Sequence, residues 1–279
     1  MKQLWPLFLL AAITPSAAYA CAGCACGNPV LTSMGTEQPL SGRVRLATVA
    51  RAWSDTEASA QVRELRFDLL ASWSPSERWT VYAALPLQLR ELTPATLARE
   101  RAFGLGDAEV QGRWVFLLDQ RMRPRWVVGM TLGLRLPTAP VITDAKGVAL
   151  SADAQPGTGG FTTLMGLGYS GFFHERVSAH AALQLEAPIN ARTSYGGRLY
   201  AAGQYQPLTW LGVRAGLETR AQFQRGEMPG GVTVYAAPDL LVQLPLDVTL
   251  LAGARLPFAE TRSGMKPGPM LLASLVVDL

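Results

Sequence analysis

The sequence predicts an all-β protein, a twelve-stranded antiparallel barrel that spans an outer membrane. Three observations carry this prediction: segments in which apolar and polar residues alternate with period two, connections that alternate between short and long, and an export signal at the start. Alternation with period two puts one set of side chains on each face of a strand, so one face suits lipid and the other suits water. Helical spans are excluded, because no run of about 18 uncharged apolar residues follows the signal.

Residues 1–20 have the features of a secretory signal peptide. Lys2 gives a basic start, residues 4–13 are mostly apolar, and Ala18-Tyr19-Ala20 is a small-residue cleavage site. Cleavage removes one lysine and no acid, so the formal net charge of +4 falls by one. That balance is too mild to imply a nucleic-acid partner. A cysteine-containing segment at 21–41 then lies in the periplasm or plugs the lumen, and 42–279 forms the barrel.

Twelve segments carry the alternation, in chain order. They are 42–53, 62–74, 79–91, 105–118, 126–137, 160–173, 177–188, 197–206, 210–223, 232–244, 248–258 and 269–279. In 62–74 one face holds Leu65, Phe67, Leu69, Ala71 and Trp73, and the other holds Glu64, Arg66, Asp68 and Ser72. A soluble sandwich would turn the charged face outward, whereas a membrane barrel turns it toward the lumen.

Two further segments show the same division. In 42–53 the apolar face holds Val44, Leu46, Thr48 and Ala50, opposite Arg43, Arg45 and Arg51. In 105–118 it holds Ala108, Val110, Trp114, Phe116 and Leu118, opposite Asp107, Glu109, Gln111 and Arg113.

The connections between these segments sort by length. Tight turns are predicted at 74–78, 119–125, 174–176, 206–209 and 245–247, and longer loops at 54–61, 92–104, 138–159, 189–196, 224–231 and 259–268. Short and long alternate, as periplasmic turns and external loops do in bacterial barrels, and both chain ends fall on the short side. We therefore expect both termini in the periplasm.

Aromatic and terminal residues support this topology. Aromatic side chains lie beside the short turns, where an interfacial girdle belongs: Trp73, Trp79, Trp126, Phe173 and Trp210. At the end of the chain, Leu275, Val277 and Leu279 alternate on the lipid face. This ending is similar to the signal by which the barrel-assembly machinery selects its clients, although the usual last residue is aromatic.

The inner faces of the predicted strands carry eleven arginines and eight acids. They are Arg43, Arg45, Arg51, Arg66, Arg90, Arg113, Arg135, Arg198, Arg214, Arg220 and Arg255, with Glu64, Asp68, Asp107, Glu109, Glu186, Glu218, Asp239 and Asp278. Pairing across strands would fill a narrow interior, because an unpaired buried charge is costly. Alternatively, the arginine surplus lines a polar path that favours anionic or amphipathic solutes. Both interpretations stay open, since twelve strands lie between a filled barrel of eight and an open porin of sixteen.

One inward histidine invites a test for catalysis. A hairpin centred on Glu175 places Ser170 opposite His180, which would suit a nucleophile and its base. Glu186, the nearest acid along that face, is six residues away, so a triad lacks its orienting group. A hydrogen bond in the lumen is the favoured interpretation, and we expect no enzyme.

All three cysteines fall in one short run at the start of the mature chain, at Cys21, Cys24 and Cys26. Three soft thiolates suit Cu(I) or Zn, with a fourth ligand from elsewhere. The oxidising periplasm equally favours a disulfide with one free thiol. Lipidation of Cys21 is a third interpretation, although Ala18-Tyr19-Ala20 is a poor lipoprotein signal. Attachment of c-type haem is excluded, because no histidine follows.

Three short motifs resemble a known family. Gly104-Leu105-Gly106-Asp107 opens a strand, Leu136-Pro137-Thr138 closes the next, and Gln155-Pro156-Gly157-Thr158-Gly159 precedes the sixth. They resemble the outer-membrane barrels named for the MetA pathway of phenol degradation, over about residues 40–279. The cysteine-rich start followed by Gly27-Asn28-Pro29 is similar to that of a subset of such proteins. The resemblance implies a channel-type barrel and no particular substrate.

Taken together, these features favour an outer-membrane channel or transporter-like barrel that passes or binds a small, anionic or aromatic solute. Its expected partners are outer-membrane lipid, that solute and the assembly machinery. The alternative is a periplasmic metal or redox accessory protein that uses the cysteines and for which the barrel is an anchor.

Overall fold

A computed structural model of the chain describes residues 41–57, 60–94, 99–119, 125–189, 195–223, 230–261 and 265–279. These residues form one sheet of β-strands. The strands are β1 (Val44–Glu57), β2 (Ala60–Ser76), β3 (Trp79–Pro94), β4 (Glu100–Leu105), β5 (Glu109–Leu118), β6 (Trp126–Arg135), β7 (Phe161–His174), β8 (Val177–Ile189), β9 (Tyr195–Leu208), β10 (Leu211–Phe223), β11 (Gly231–Leu244), β12 (Val248–Glu260) and β13 (Met265–Asp278). The predicted signal peptide and cysteine segment lie outside the described residues.

The sheet closes because its first and last strands pair. β1 runs antiparallel to β13, from Arg45 opposite Asp278 to Glu57 opposite Met265, and its other edge pairs with β2. The short strands β4 and β5 both pair with β3, one after the other, so together they occupy one position in the wall. The protein is therefore a closed, antiparallel barrel of twelve strands, which confirms the predicted fold.

The two faces of the wall differ as the alternation predicts. On β2 the side chain of Leu69 is 55% exposed, whereas its neighbour Asp68 is 2% exposed. Leu46 and Arg45 on β1 divide in the same way. The apolar surface thus faces outward over the whole wall, and charged side chains fill the interior, which is the arrangement that a bilayer stabilises. No helix long and apolar enough to cross a bilayer occurs among the described residues.

The lipid-facing side predicted for segment 105–118 is wrong toward the end of β5. A β-bulge lies between Val115 and Leu117 where β5 pairs with β6. Val115 keeps the inward phase of Arg113 and is fully buried, whereas the extra residue shifts the alternation by one beyond it, so Leu117 is exposed. Phe116 and Leu118 are consequently half-buried rather than on the lipid face, and Ala108 lies in the break between β4 and β5.

The connections alternate less strictly than predicted. β1 and β2 stay paired as far as Glu57 opposite Ala60, so residues 58 and 59 alone connect them and the loop predicted at 54–61 is wrong. Side-chain alternation fades there, but the backbone ladder of a hairpin continues without it. At the other end, the connection at 119–125 is longer than its neighbours at 77–78, 175–176, 209–210 and 245–247.

These connections define two ends of the barrel. The turn end contains the five connections just named, together with Arg43 and Leu279. Val44 and Leu279 exchange backbone hydrogen bonds of 3.3 and 2.8 Å there. The loop end contains the connections that follow β1, β3, β6, β8, β10 and β12, of which the longest is 136–160.

Aromatic side chains encircle both ends. The predicted girdle at the turn end is exposed on the outer wall, at Trp73, Trp79, Trp126, Phe173 and Trp210. The sequence analysis missed a second set at the loop end, which consists of Phe103, Phe161, Tyr195, Phe223 and Phe258, all exposed. An apolar band between two aromatic girdles is typical of a transmembrane barrel.

Candidate functional site

The predicted lumen charges all lie on the inner face of the barrel, buried or half-buried, at Arg43, Arg45, Arg51, Glu64, Arg66, Asp68, Arg90, Asp107, Glu109, Arg113, Arg135, Arg214, Glu218, Arg220, Asp239 and Arg255. Arg198, Glu186 and Asp278 lie there as well. Most of these side chains are joined by ion pairs, which can be described as three networks. The pairing predicted as one of two interpretations is therefore extensive.

The first network surrounds Asp68 on β2. Its carboxylate pairs with Arg51 of the neighbouring strand and with Arg66 of its own strand, the latter at 2.6 Å. Nearby, Glu64 pairs with Arg90 of β3 at 3.1 Å. Two guanidinium groups on one carboxylate leave this patch of wall positively charged.

The second network reaches across β7. Arg135 of β6 lies 2.8 Å from Glu109 of β5 and 3.1 Å from Glu186 of β8. Since β7 separates β6 from β8, the long arginine side chain must extend through the interior to reach Glu186. It thereby links strands that share no backbone hydrogen bonds.

The third network is the most deeply buried. Glu218 of β10 contacts Arg220 at 2.7 Å, Arg255 at 2.8 Å and Arg198 at 3.7 Å. Arg255 also donates to Asp239 at 2.7 Å. The Arg255 guanidinium lies 5.8 Å from the ring centroid of Tyr200, whose hydroxyl is 3.4 Å from Asp239.

A cavity of about 70 Å³ lies between the first two networks. Its wall consists of Val49, Arg51, Arg66, Asp68, Leu70, Tyr82, Ala84, Glu109, Gln111, Arg135, Gln184, Glu186 and Arg198. Four of these side chains are arginines and three are acids, so the wall carries a positive surplus. Amide and phenol groups add neutral hydrogen-bond donors.

An apolar cluster crosses the interior beside this cavity. Val49, Leu70, Ala182, Tyr200, Ala202 and Ala237 pack together, and two of them, Val49 and Leu70, also line the cavity. Val49 belongs to β1 and Ala182 to β8, which lie on opposite sides of the ring. The cluster therefore spans the lumen, with the fully buried Tyr200 as its largest member.

Sequence reasoning missed this cluster. Tyr200 shares the phase of Arg198 along β9, and Val49 shares the phase of Arg51 along β1. This alternation phase was the signal available in the sequence. It predicts that a side chain faces the lumen, but it does not predict which side chain it contacts across the lumen. An inward apolar residue is informative only when its partner across the lumen is known.

The predicted pairing of Ser170 with His180 is confirmed. Their register is direct, and Ser170 Oγ lies 3.1 Å from His180 Nδ1. The ring's other nitrogen, Nε2, lies 3.0 Å from Ser178 Oγ, which the sequence analysis did not foresee. All three residues are buried, and a histidine held between two hydroxyls fits the hydrogen-bonded interpretation of this site.

Asp107 lies inside the barrel, but its carboxylate binds protein rather than facing open space. One oxygen accepts from the backbone N–H of Ala139 at 3.1 Å, and the other accepts from the N–H and hydroxyl of Thr158 at 2.6 and 2.7 Å. A Cβ at Gly157 would lie 2.8 Å from Asp107 and 2.4 Å from the Cβ of Ala139. Glycine is therefore required for this close approach.

The three motifs that carry the family resemblance meet at this point. Thr138 Oγ1 accepts from the N–H of Ala108 at 2.8 Å, and Gln155 bonds both backbone groups of Ile142 at 2.9 Å. Arg90, which points inward from β3, donates to the carbonyl of Gln155 at 3.1 Å. The loop at 136–160 is thus fastened to the inner side of the barrel wall at the loop end.

Arg43 and Arg45 lie at the turn end, away from the cavity. Both pair with Asp278, at 3.1 and 2.5 Å. These pairs join the first strand to the last at the seam where the barrel closes.

Cys21, Cys24 and Cys26 lie outside the described residues. Within the described ranges, no group of three or more His, Cys, Asp or Glu side chains is arranged to hold a metal ion. The metal, disulfide and lipidation hypotheses for the cysteines all stay predictions.

Solved structures share this fold. The COG4313 outer membrane channel from Pseudomonas putida F1 matches with a TM-score of 0.71 at 13% identity, over 88% of this chain and 98% of that one. The β domain of the Bordetella autotransporter BrkA matches with a TM-score of 0.52 at 13% identity, over 86% and 100%. The translocator domain of the autotransporter NalP from Neisseria meningitidis matches with 0.53 at 8% identity, over 89% and 91%.

At these identities the likeness establishes the fold and nothing finer. No family model and no curated protein sequence matches the chain, so the resemblance to the phenol-degradation family stays a prediction. Closed topology, apolar outer wall, aromatic girdles and structural likeness agree on one conclusion: the chain folds as an outer-membrane β-barrel.

Proposed function

We propose that this chain is an outer-membrane channel that passes or binds a small anionic solute. The observation that carries the proposal is the cavity inside the barrel, whose wall holds Arg51, Arg66, Arg135 and Arg198 against three acids. Fixed positive charge in a narrow, low-dielectric path concentrates anions there and repels cations.

The size of the cavity bears on the solute. A volume of about 70 Å³ has room for roughly five water molecules, at about 10–15 Å³ of accessible volume for each. A solute of that size is an inorganic anion or a short carboxylate. Charged walls favour such an ion over a neutral aromatic compound, since the net positive charge of the wall attracts the ion alone.

The orientation follows from the lengths of the connections. We place the turn end in the periplasm, because short turns face that side in bacterial barrels. Both described chain ends lie there, so the cysteine segment at 21–41 enters from the periplasmic side. Outer-membrane lipid and the barrel-assembly machinery are the implied partners, and we assign no catalysis to the chain.

The accessory alternative depends on Cys21, Cys24 and Cys26 alone. No contact of the described residues favours it, whereas the arginine-rich cavity favours a channel. The two proposals differ in what removal of the cysteines should do: a channel keeps its conductance, and a metal-binding accessory loses its metal.

Ion selectivity in planar bilayers tests the channel directly. With purified barrel in a KCl gradient, we expect a small conductance and a reversal potential displaced toward that of chloride. Replacement of Arg51 and Arg198 by Gln should lower the anion preference. Both changes spare the network geometry, because Asp68 keeps Arg66, and Glu218 keeps Arg220 and Arg255.

Arg101→Gln serves as the matched control, since this exposed arginine on β4 lies outside the cavity. It removes a like charge and should leave the reversal potential unchanged. Absence of conductance and of solute uptake, in full-length mature protein and after deletion of residues 21–40, would contradict a channel and favour a barrel closed by its own side chains.

A further inference from the structure

Arg113 on β5 is exceptional among the buried arginines. It is 1% exposed, and none of its three guanidinium nitrogens has a hydrogen-bond partner among the described residues. Arg255, equally buried, is held by Glu218 and Asp239, and Arg214 is held by two bonds to Gln204. A buried guanidinium is costly when no acceptor faces it.

Hydroxyl-bearing residues flank Arg113 on the neighbouring strands. Its neighbour across the strand on β3 is Thr80, and its neighbour on β6 is Thr131. Both threonines are 4% exposed. Thr80 Oγ1 lies 2.9 Å from Ser74 Oγ, so three hydroxyls lie on the inner wall on either side of the cation. Directly opposed residues have Cβ atoms about 5 Å apart, within reach of one small ligand.

Glycine on the neighbouring strand makes room for the side chain. A Cβ at Gly129 would lie 3.1 Å from Arg113 Nε, so the arginine lies over this glycine of β6. Two residues before Arg113 on the same face, Gln111 lines the cavity. Arg113 is therefore the next inward residue of β5 after Gln111, on the turn-end side of the cavity.

From this geometry we infer that Arg113, with the hydroxyls of Thr80, Ser74 and Thr131, binds a small monovalent anion of the size of chloride. The inference rests on the proposed function and deepens it, because it assigns a binding site to the anion that the channel would pass. An anion that leaves the cavity past Gln111 meets a cation that no acid in the described part of the chain pairs with. The paired arginines of the cavity wall attract less strongly, since their charge is partly cancelled.

Bromide is a suitable probe, because it has nearly the size of chloride and scatters anomalously. Crystals of the full mature protein grown or soaked in sodium bromide should show an anomalous peak in direct contact with the Arg113 guanidinium. Absence of a peak at Arg113, with or without peaks elsewhere, would overturn the inference. This arm uses the wild-type chain and so does not depend on the folding of a variant.

Binding in solution supplies the second arm. Broadening of the ³⁵Cl NMR line by the detergent-solubilised protein should fall well below that of wild type in Arg113→Met, whose side chain has similar length and no charge. The exposed Arg101→Met removes the same charge elsewhere and should keep the broadening. Equal broadening by wild type and Arg113→Met would also overturn the inference.

The bromide and bilayer experiments distinguish a failure of the Arg113 anion site from a failure of the channel proposal. A bromide peak at Arg113 without conductance in bilayers would preserve the site and contradict the channel. Anion-selective conductance without the peak would preserve the channel and remove the site.

Discussion

Asp107 and Thr158 are joined by two hydrogen bonds, from the backbone N–H at 2.6 Å and from the hydroxyl at 2.7 Å. They lie 51 residues apart, one in the break between β4 and β5 and the other in the loop before β7. The bond pair fixes the longest loop of the barrel to its inner wall. Two glycine-rich motifs that look like ordinary turns in the sequence thus form one clamp.

Replacement of Asp107 by Ala should release this loop. Loss of the clamp removes charge-assisted hydrogen bonds, and a cost of about 1.4 kcal/mol raises the open population roughly tenfold. Lys146 is the one basic residue in 136–160, and it is exposed. The rate of tryptic cleavage after Lys146 in reconstituted protein should therefore rise by about that factor.

Asp119→Ala is the control for the clamp, because Asp119 accepts from the N–H of Arg125 at the other end of the barrel. Its cleavage rate at Lys146 should match that of wild type. An unchanged rate in Asp107→Ala would show that other contacts hold the loop.

Tyr200→Ala should open the lumen. Tyr200 is the largest side chain of the apolar cluster that spans the interior, and truncation leaves a gap where wetting can begin. We expect single-channel conductance to increase by roughly severalfold in planar bilayers. Tyr200→Phe keeps the ring and should keep the low conductance.

Tyr235→Ala is the matched control for this effect. Tyr235 is also buried inside the barrel and lies under Arg220, 5.1 Å from its guanidinium, but it is outside the apolar cluster. If Tyr235→Ala raised conductance as much as Tyr200→Ala, the barrier would not lie at the cluster.

Leu69→Arg should destabilise the barrel in a bilayer. Leu69 is 55% exposed on the outer wall, and an arginine facing lipid near the midplane costs about 2–4 kcal/mol. Denaturant titration of the protein in lipid vesicles measures this cost. Leu69→Phe, also bulky but apolar, should stay within about 1 kcal/mol of wild type, and equal stability of the two variants would place Leu69 away from lipid.

Labelling of intact cells checks the orientation. In a background with all three cysteines changed to serine, Val148→Cys in the long loop and Leu246→Cys in a turn are both well exposed, at 62% and 88%. A membrane-impermeant maleimide should label Val148→Cys in intact cells. It should label Leu246→Cys only after the cells have been lysed. The reverse pattern would contradict the proposed orientation and would place the turn end outside the cell.

The cysteines can be tested apart from the barrel's transport. If they form a soft-metal site, reduced mature protein should bind Cu(I) or Zn and lose the metal when Cys24 and Cys26 become serine. If they form a disulfide, mass spectrometry of protein from the envelope should find Cys21 bridged to Cys24 or Cys26. A bridge between Cys24 and Cys26 is disfavoured by its short ring, and a diacylated Cys21 would contradict both hypotheses.

The fold was predictable because its main constraint is local. A strand turns successive side chains to opposite faces. The lipid-facing position of Leu69 and the lumen-facing position of Asp68 can therefore be predicted from the sequence of that strand alone. Even the number of wall positions follows, because each alternating segment must cross the membrane once. Where the period broke locally, at the bulge between Val115 and Leu117, the prediction of faces failed with it.

The contents of the lumen were decided by the tertiary structure alone. Alternation places Tyr200, Val49 and Arg113 inside the barrel, but the tilt of the strands and the closure between β1 and β13 determine which residues meet across it. That geometry places Tyr200 and Val49 in one apolar cluster, and it leaves Arg113 without a hydrogen-bond partner among the described residues. Period two is a property of single strands, whereas a pair across the lumen is a property of the closed ring.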